Sequence, residues 1–297
     1  MTKKFIDISD KLDDPIKDLI FNLDKITSKL NIEIIIVGAF ARDLILQYGY
    51  DIPVFRATTD FDFGIKIRDW DTFDILVKKL IEHKNFKKTD TIHRILFRDD
   101  IIIDLIPFGA IADKTGNYQW RDKNKTTINV TGFTNAYNTA CIVRISSSPK
   151  IEMKFASIES QTVLKLISWN NSRDSRGKDA IDLVTLMTKH IDAGNEKRFF
   201  EEHFDITNDN QISWENNSAR LLGRDVAKNT DKNTLHNIVN ILSNELNTEI
   251  SDLVIDMMKR NLHEFEYNEY YSLVNSFYVG IMDITKNEYD DTFKGKQ

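Results

Sequence analysis

The sequence predicts an α+β protein, with a small mixed sheet in the N-terminal half and a helical C-terminal half. Three observations carry this reading. Short β-branched runs bounded by turn residues recur through the first half, segments with apolar residues three and four apart fill the second, and the texture changes at SSSPK, residues 146–150. That small-residue and proline cluster is of the kind that links elements, so the 297 residues divide into a domain over 1–150 and a helical domain over 151–297.

The elements follow in order. DDPIKDLIFNLDKITSKL sets Ile16, Leu19, Ile20, Leu23, Ile26 and Leu30 at helical spacing, with Asp14 before Pro15 as the start signal. IEIIIVGAF is β-branched and too short for a helix, and it reads as a buried strand ending at Gly38. ARDLILQYGY then turns helical, so the unit is strand, tight turn, helix. TTDFDFGIKI, residues 58–67, is a second strand, and DWDTFDILVKKLIEHKNF is a helix carrying Phe73, Leu76, Leu80 and Ile81, with Asp71 as its cap. TIHRILFR and IIIDLIPFG are two further strands joined by a tight turn at Asp99-Asp100. From 113 to 155, polar and apolar residues alternate around turn signals at Lys114–Asn117, which predicts short strands. SIESQTVLKLISWNNSR, KDAIDLVTLMTKHI, SARLLGRDVAKN, NTLHNIVNILSNEL and ISDLVIDMMKRNLHEF are the helices of the second half.

Composition narrows the function classes. With 41% hydrophobic residues, 4 Pro and 11 Gly, the chain builds a core and is neither disordered nor fibrous. The 46 acidic and 40 basic side chains give a formal charge of −6, so the chain as a whole has no polyanion-binding signature. A single cysteine, Cys141, excludes an internal disulfide and a zinc shell built on thiolates, and it reads as a small core residue. No apolar run approaches the roughly 20 residues of a membrane helix, and MTKKFIDISDKLDD has no signal-peptide core, so the expectation is a cytoplasmic protein with no membrane partner.

The chemistry is in the acids. Side chains two apart on a strand share a face, so Asp60 and Asp62 project together while Phe61 and Phe63 anchor the strand on the other side. Two neighbouring carboxylates need a cation, a shared proton or arginine partners. Asp104, inside IIIDLIP, is a third acid in an apolar strand. If its strand lies beside the first, the three carboxylates form a nest whose oxygen-only donors suit Mg²⁺ or Mn²⁺, as in two-metal phosphoryl chemistry. In VGAFARD, Gly38 sits at a strand-to-helix corner where free N–H groups can receive anionic oxygens, with Arg42 and Asp43 following; Arg42 and Asp43 also read as a local ion pair. His93 and His190 have no partner at metal-binding spacing, and Trp120 and Trp169 read as packing residues.

The ordered set VGAFARDLIL, TTDFDF and IIIDLIPFG resembles the nucleotidyltransferase superfamily with the DNA-polymerase-β fold. PFGAI, TGFTNAY, SIESQTVLKLISWNNSRDSRGKDAIDL and ARLLGRDVA are further similar to the AbiEii-type nucleotidyltransferases of abortive infection and type IV toxin–antitoxin systems, over roughly residues 30–230. The resemblance implies a polymerase-β-like domain followed by a helical domain, with NTP as substrate and Mg²⁺ or Mn²⁺ as cofactor. It implies Asp60, Asp62 and Asp104 as catalytic metal ligands, Gly38, Ala39 and Arg42 on the nucleotide side, and Lys165 as a phosphate contact supported by Asp179 and Asp182. Ala39 departs from the family pattern, where serine or a second glycine is common, and loses a hydroxyl donor. The implied reaction transfers NMP to a hydroxyl acceptor, an RNA or tRNA end or a protein, with an antitoxin as partner. A nucleotide- or partner-binding regulator on the same fold and an antibiotic nucleotidyltransferase are the alternatives. A closer tie to CCA-adding enzymes is not expected, because no Arg-Arg-Asp motif follows the metal strands.

Overall fold

The computed structural model describes residues 4–9, 11–54, 60–121, 125–207, 212–259 and 265–293. The chain divides into two compact units, residues 1–157 and 158–297. Thr58 and Thr59 of the TTDFDF stretch lie outside the described residues.

The first unit is built on one mixed sheet. Its strands are β1 (Phe5–Asp7), β2 (Glu33–Val37), β3 (Asp60–Ile67), β4 (Phe86–Lys88), β5 (Arg94–Phe97), β6 (Ile101–Gly109), β9 (Cys141–Ser147) and β10 (Lys150–Phe155), while β7 (Asn117–Gln119) and β8 (Thr127–Asn129) form a separate hairpin. The order across the sheet is β1-β9-β10-β2-β3-β6-β5-β4. β3 lies between β2, antiparallel to it, and β6, parallel to it. A strand paired on both edges is buried along its length, which is why Phe63 and Ile65 are fully buried and Phe61 and Ile67 nearly so. Burial of a phenylalanine of this kind contributes about 2–3 kcal/mol.

The helices of this unit are α1 (Asp14–Lys29), α2 (Gly38–Asp43), α3 (Trp70–Ile81) and α4 (Phe133–Asn138), and a π-wound segment, Leu44–Gly49, continues α2. The cap of α3 is Asp69, whose side chain accepts from the Thr72 N–H at 2.8 Å, not Asp71, which lies inside the first turn. Asp69 has extended backbone, as a capping residue requires, whereas Asp71 is already helical. α4 was not anticipated by the strand pattern of 113–155. Its Phe133 packs over Gly64, and the Lys66 ammonium stands 4.8 Å from the ring centre of Tyr137, so α4 covers the even-numbered face of β3 at residues 64 and 66. Asp60 and Asp62, further along that face, remain half-buried.

SSSPK is the turn of the β9–β10 hairpin, with a cis Ser148–Pro149 peptide, and the division of the chain falls after it, between 157 and 158. The cluster does break an element there; the chain on its far side returns to the same sheet.

The second unit is helical: α5 (Ile158–Asn171), α6 (Gly177–Lys189), α7 (Glu196–Glu202), α8 (Phe204–Thr207), α9 (Trp214–Asn229), α10 (Lys232–Leu246), α11 (Asp252–Met258) and α12 (Tyr267–Phe293). α9 and α12 cross at two glycines. A Cβ on Gly223 would lie 2.1 Å from the Phe277 carbonyl oxygen, and one on Gly280 would lie 2.0 Å from that of Arg220. Only glycine at both positions lets the two backbones approach this closely. Trp169, fully buried, donates its indole N–H to Asp256 at 2.8 Å, which makes it a packing residue with a satisfied polar edge. Among the described residues no helix is long and apolar enough to cross a membrane.

Candidate functional site

The sheet register assembles the acids. Val37 of β2 pairs with Asp62 of β3, Asp62 with Asp104 of β6, and Asp104 with Arg94 of β5. Four residues from four strands therefore form one row across the sheet. Neighbouring strands run about 5 Å apart, so Asp62 and Asp104 are register partners whose side chains rise from the same face. Asp60 sits two residues from Asp62 on the same face, opposite Ile102. Like charges placed opposite each other on a sheet are destabilising, and this arrangement calls for positive charge.

Part of that charge comes from Arg94. Its Nε donates to Asp104 Oδ1 at 2.8 Å and one terminal nitrogen donates to Oδ2 at 2.7 Å, a two-pronged fork that occupies both oxygens. The Asp104 bond, followed by the charges of Asp104, Asp60 and Asp62, holds the Arg94 guanidinium above its already high range, although burial opposes this. The cation thus feels all three acids.

Gly38 closes the row from the β2 side. Its φ of +73° lies in the left-handed region, and a Cβ there would fall 2.0 Å from Asp62 Oδ2. The Asp62 carboxylate therefore rests against bare backbone at the start of α2, a position that any other residue would fill. Arg42 and Asp43 are both buried and paired with each other, Nε to Oδ1 at 2.7 Å, so Arg42 is engaged inside its own helix.

Arg94 escaped the sequence reading for a definable reason. A two-residue turn at Asp99-Asp100 would have put Ile95 opposite Asp104. The connection instead has three residues, Arg98, Asp99 and Asp100, and Arg98 and Asp99 carry left-handed φ values of 51° and 71°. That single extra residue shifts the register by one and turns the arginine to the acids' face.

In the helical unit the other expected residues also come together. Lys165 of α5 is only 7% exposed, and its ammonium donates to Asp182 at 2.5 Å and to Asp179 at 3.3 Å, both on α6. Asp179 and Asp182 are three apart on a helix and so share a face. Arg173 bonds Asp252 at 2.9 Å, forms an ion pair with Glu245 at 2.9 Å and stacks on Trp169 at 4.5 Å, so its charge has a structural use.

One grouping was not visible from spacing. Glu159, His190 and Asp225 each bring a ligand atom within 4.8 Å of the others, although His190 has no partner at metal-binding spacing along the sequence. Three different helices or helix ends supply them, so no sequence interval announces the set. Arg198 forks onto both oxygens of Asp225 and the His190 Nε2–H donates to it at 2.7 Å. Burial raises the Asp225 pKa, but these bonds and charges outweigh it and hold the carboxyl well below its usual range. Asp225 and the His190 Nε2–H are thus committed to each other and to Arg198, which leaves Glu159 and the buried, unbonded His190 Nδ1 as the donors of the set.

The family model described as nucleotidyl transferase AbiEii toxin, Type IV TA system, matches residues 23–266. The chain belongs to that family. This AbiEii-family chain is thus a nucleotidyltransferase by kinship, with the α+β fold expected of it. No curated protein matches the sequence. Among solved structures, it is similar to the antibiotic-resistance factor ANT(2'')-Ia at 12% identity, over 66% of this chain and 96% of that one, with a TM-score of 0.34. An apo CCA-adding enzyme matches at 14% identity over 90% of this chain and 68% of that one, TM-score 0.31. A Thermotoga maritima CCA-adding enzyme complexed with tRNA matches at 11% identity over 93% and 84%, TM-score 0.26.

Proposed function

We propose that this AbiEii-family chain transfers a nucleoside monophosphate from an NTP to a hydroxyl acceptor, an RNA or tRNA end or a protein, as the toxin half of a cytoplasmic toxin–antitoxin pair. The observation that carries the reading is the row in which Asp62 and Asp104 are register partners, Asp60 shares their face and Gly38 leaves room for the Asp62 carboxylate. The donors are all carboxylate oxygens, half-buried on a rigid sheet, and they fit Mg²⁺ or Mn²⁺.

In this reading Asp60, Asp62 and Asp104 hold the divalent metal, which when bound supplies Lewis-acid stabilisation of phosphoryl oxygens. Asp104 also accepts the proton of the acceptor hydroxyl. Gly38 and Ala39 present backbone N–H groups on the phosphate side, and Ala39 offers no hydroxyl donor. Lys165 has the role implied by family kinship: its charge offsets that building on the pyrophosphate leaving group, with Asp179 and Asp182 fixing its ammonium.

The test is metal-dependent pyrophosphate release, run with each labelled NTP against total cellular RNA and protein extract. The wild-type chain labels one acceptor class, and Asp60→Ala and Asp62→Ala proteins that remain folded do not. Undiminished labelling by either variant overturns the assignment.

A further inference from the structure

We propose that Arg94 is the internal counter-ion of the carboxylate nest and sets its divalent-metal affinity, because the fork on Asp104 has to open before Asp104 can ligate a metal. The inference rests on the reading of Asp60, Asp62 and Asp104 as metal ligands.

Geometry separates what is fixed from what can move. Arg94 is pinned by its backbone: its N–H donates to the Thr91 carbonyl at 3.0 Å, and its own carbonyl accepts from the Thr89 hydroxyl at 2.9 Å. The neighbouring His93 carbonyl accepts from the Leu105 N–H at 2.8 Å, which locks β5 onto β6 beside Asp104. The Arg94 side chain is 35% exposed and that of Asp104 only 14%. Opening the fork therefore means rotating the arginine into water, where a guanidinium is readily solvated, while the carboxylate stays in place.

The charges set the direction of the effect. A guanidinium forked on one of three carboxylates that share a sheet face offsets their mutual repulsion and opposes a second cation at the same place. Asp60 and Asp62 lie on β3, outside the fork, and Asp104 is the ligand that Arg94 withholds. The metal and the arginine compete for one carboxylate, so affinity falls by the work of displacing the arginine. Arg94 is thus a positioning residue that acts through Asp104.

Calorimetric titration of Mn²⁺ into the full chain, without nucleotide, tests this with wild type, Arg94→Met, Arg94→Lys and Asp62→Ala. Arg94→Met, which keeps length and loses charge, binds Mn²⁺ about tenfold more tightly. Its melting temperature in chelator is lower than that of wild type, and the gain on adding Mn²⁺ is larger. Arg94→Lys keeps the charge without the fork and gives an intermediate shift, and it decides the question alone if the methionine variant does not fold. Unchanged or weaker Mn²⁺ binding in a folded Arg94 variant overturns the role of Arg94, while loss of binding in Asp62→Ala leaves the metal nest standing. Wild-type binding in Asp62→Ala removes the nest itself, and this inference with it.

Discussion

The strand-borne acids of the first unit and the helix-borne acids of the second solve the same electrostatic problem in different ways. Asp60, Asp62 and Asp104 are half-buried on one sheet face, and the forked partner on Asp104 is an arginine with a third of its side chain in water. Asp179, Asp182 and Asp225 are buried, held by Lys165, Arg198 and His190. A half-exposed acid cluster with a displaceable cation can exchange that cation for another, whereas a buried pair cannot lose one member without leaving a bare charge. The first arrangement suits ligand binding and the second holds a helical core and orients what it contains.

The sharpest way to break the comparison is to neutralise one acid of each kind. Asp62→Asn lowers nucleotidyl transfer by roughly 10³-fold, with thermal stability unchanged or slightly raised because a like-charge contact is removed; steady-state pyrophosphate release and a melting curve on the same preparation check both halves. Asp225→Ala acts the other way. It leaves the buried His190 and the half-buried Arg198 without their carboxylate and costs about 3–5 kcal/mol of stability in urea unfolding, and a loss below 1 kcal/mol would show that the cluster is not a polar core.

A smaller effect comes from packing alone. Gly280→Ala places a methyl group 2.0 Å from the Arg220 carbonyl, forces α9 and α12 apart and costs about 1–3 kcal/mol. Mn²⁺ affinity measured on the folded fraction stays at the wild-type value, because the carboxylate nest belongs to the first unit.

The mildest prediction concerns pH. Burial, reinforced by the positive charges of Arg198, Arg224 and Lys228, pushes the His203 pKa down. A depressed pKa means that the unfolded chain binds the proton first, so the stability contributed by neutral His203 is complete above about pH 6.5 and is lost as pH falls from there through the folded value. The carboxyl groups respond lower still. Burial raises Asp283, but bonds from Arg220 and Arg224 outweigh it, and Asp225 is lowered similarly, so both contribute stability above about pH 4 that is lost on further acidification. Urea midpoints across a pH series therefore fall in two stages, and His203→Gln removes the upper one; an unchanged upper stage assigns it to another group.

Much of the local geometry of the candidate site is legible in the sequence. A strand alternates its side chains with period two, so TTDFDFGIKI by itself fixed that Asp60 and Asp62 share a face and that Phe61 and Phe63 go to the core. The β-branched run before Gly38 and the helical spacings beyond residue 157 are equally local, because periodicity is written within about ten residues. The family motifs, in their order along the chain, implied Asp104 as a third acid and Lys165 as a phosphate contact supported by Asp179 and Asp182, but not the arginine that Asp104 meets.

What only the tertiary structure decided is partnership. Arg94 meets Asp104 because a three-residue turn sets the hairpin register, and a turn one residue shorter would have sent that arginine to the opposite face. Lys165 is buried on Asp179 and Asp182 because α5 packs on α6, and Glu159, His190 and Asp225 converge across positions far apart in the chain. Sequence spacing encodes which side of an element a residue occupies; which charge stands opposite depends on register and helix packing, which arise only when the elements close on one another.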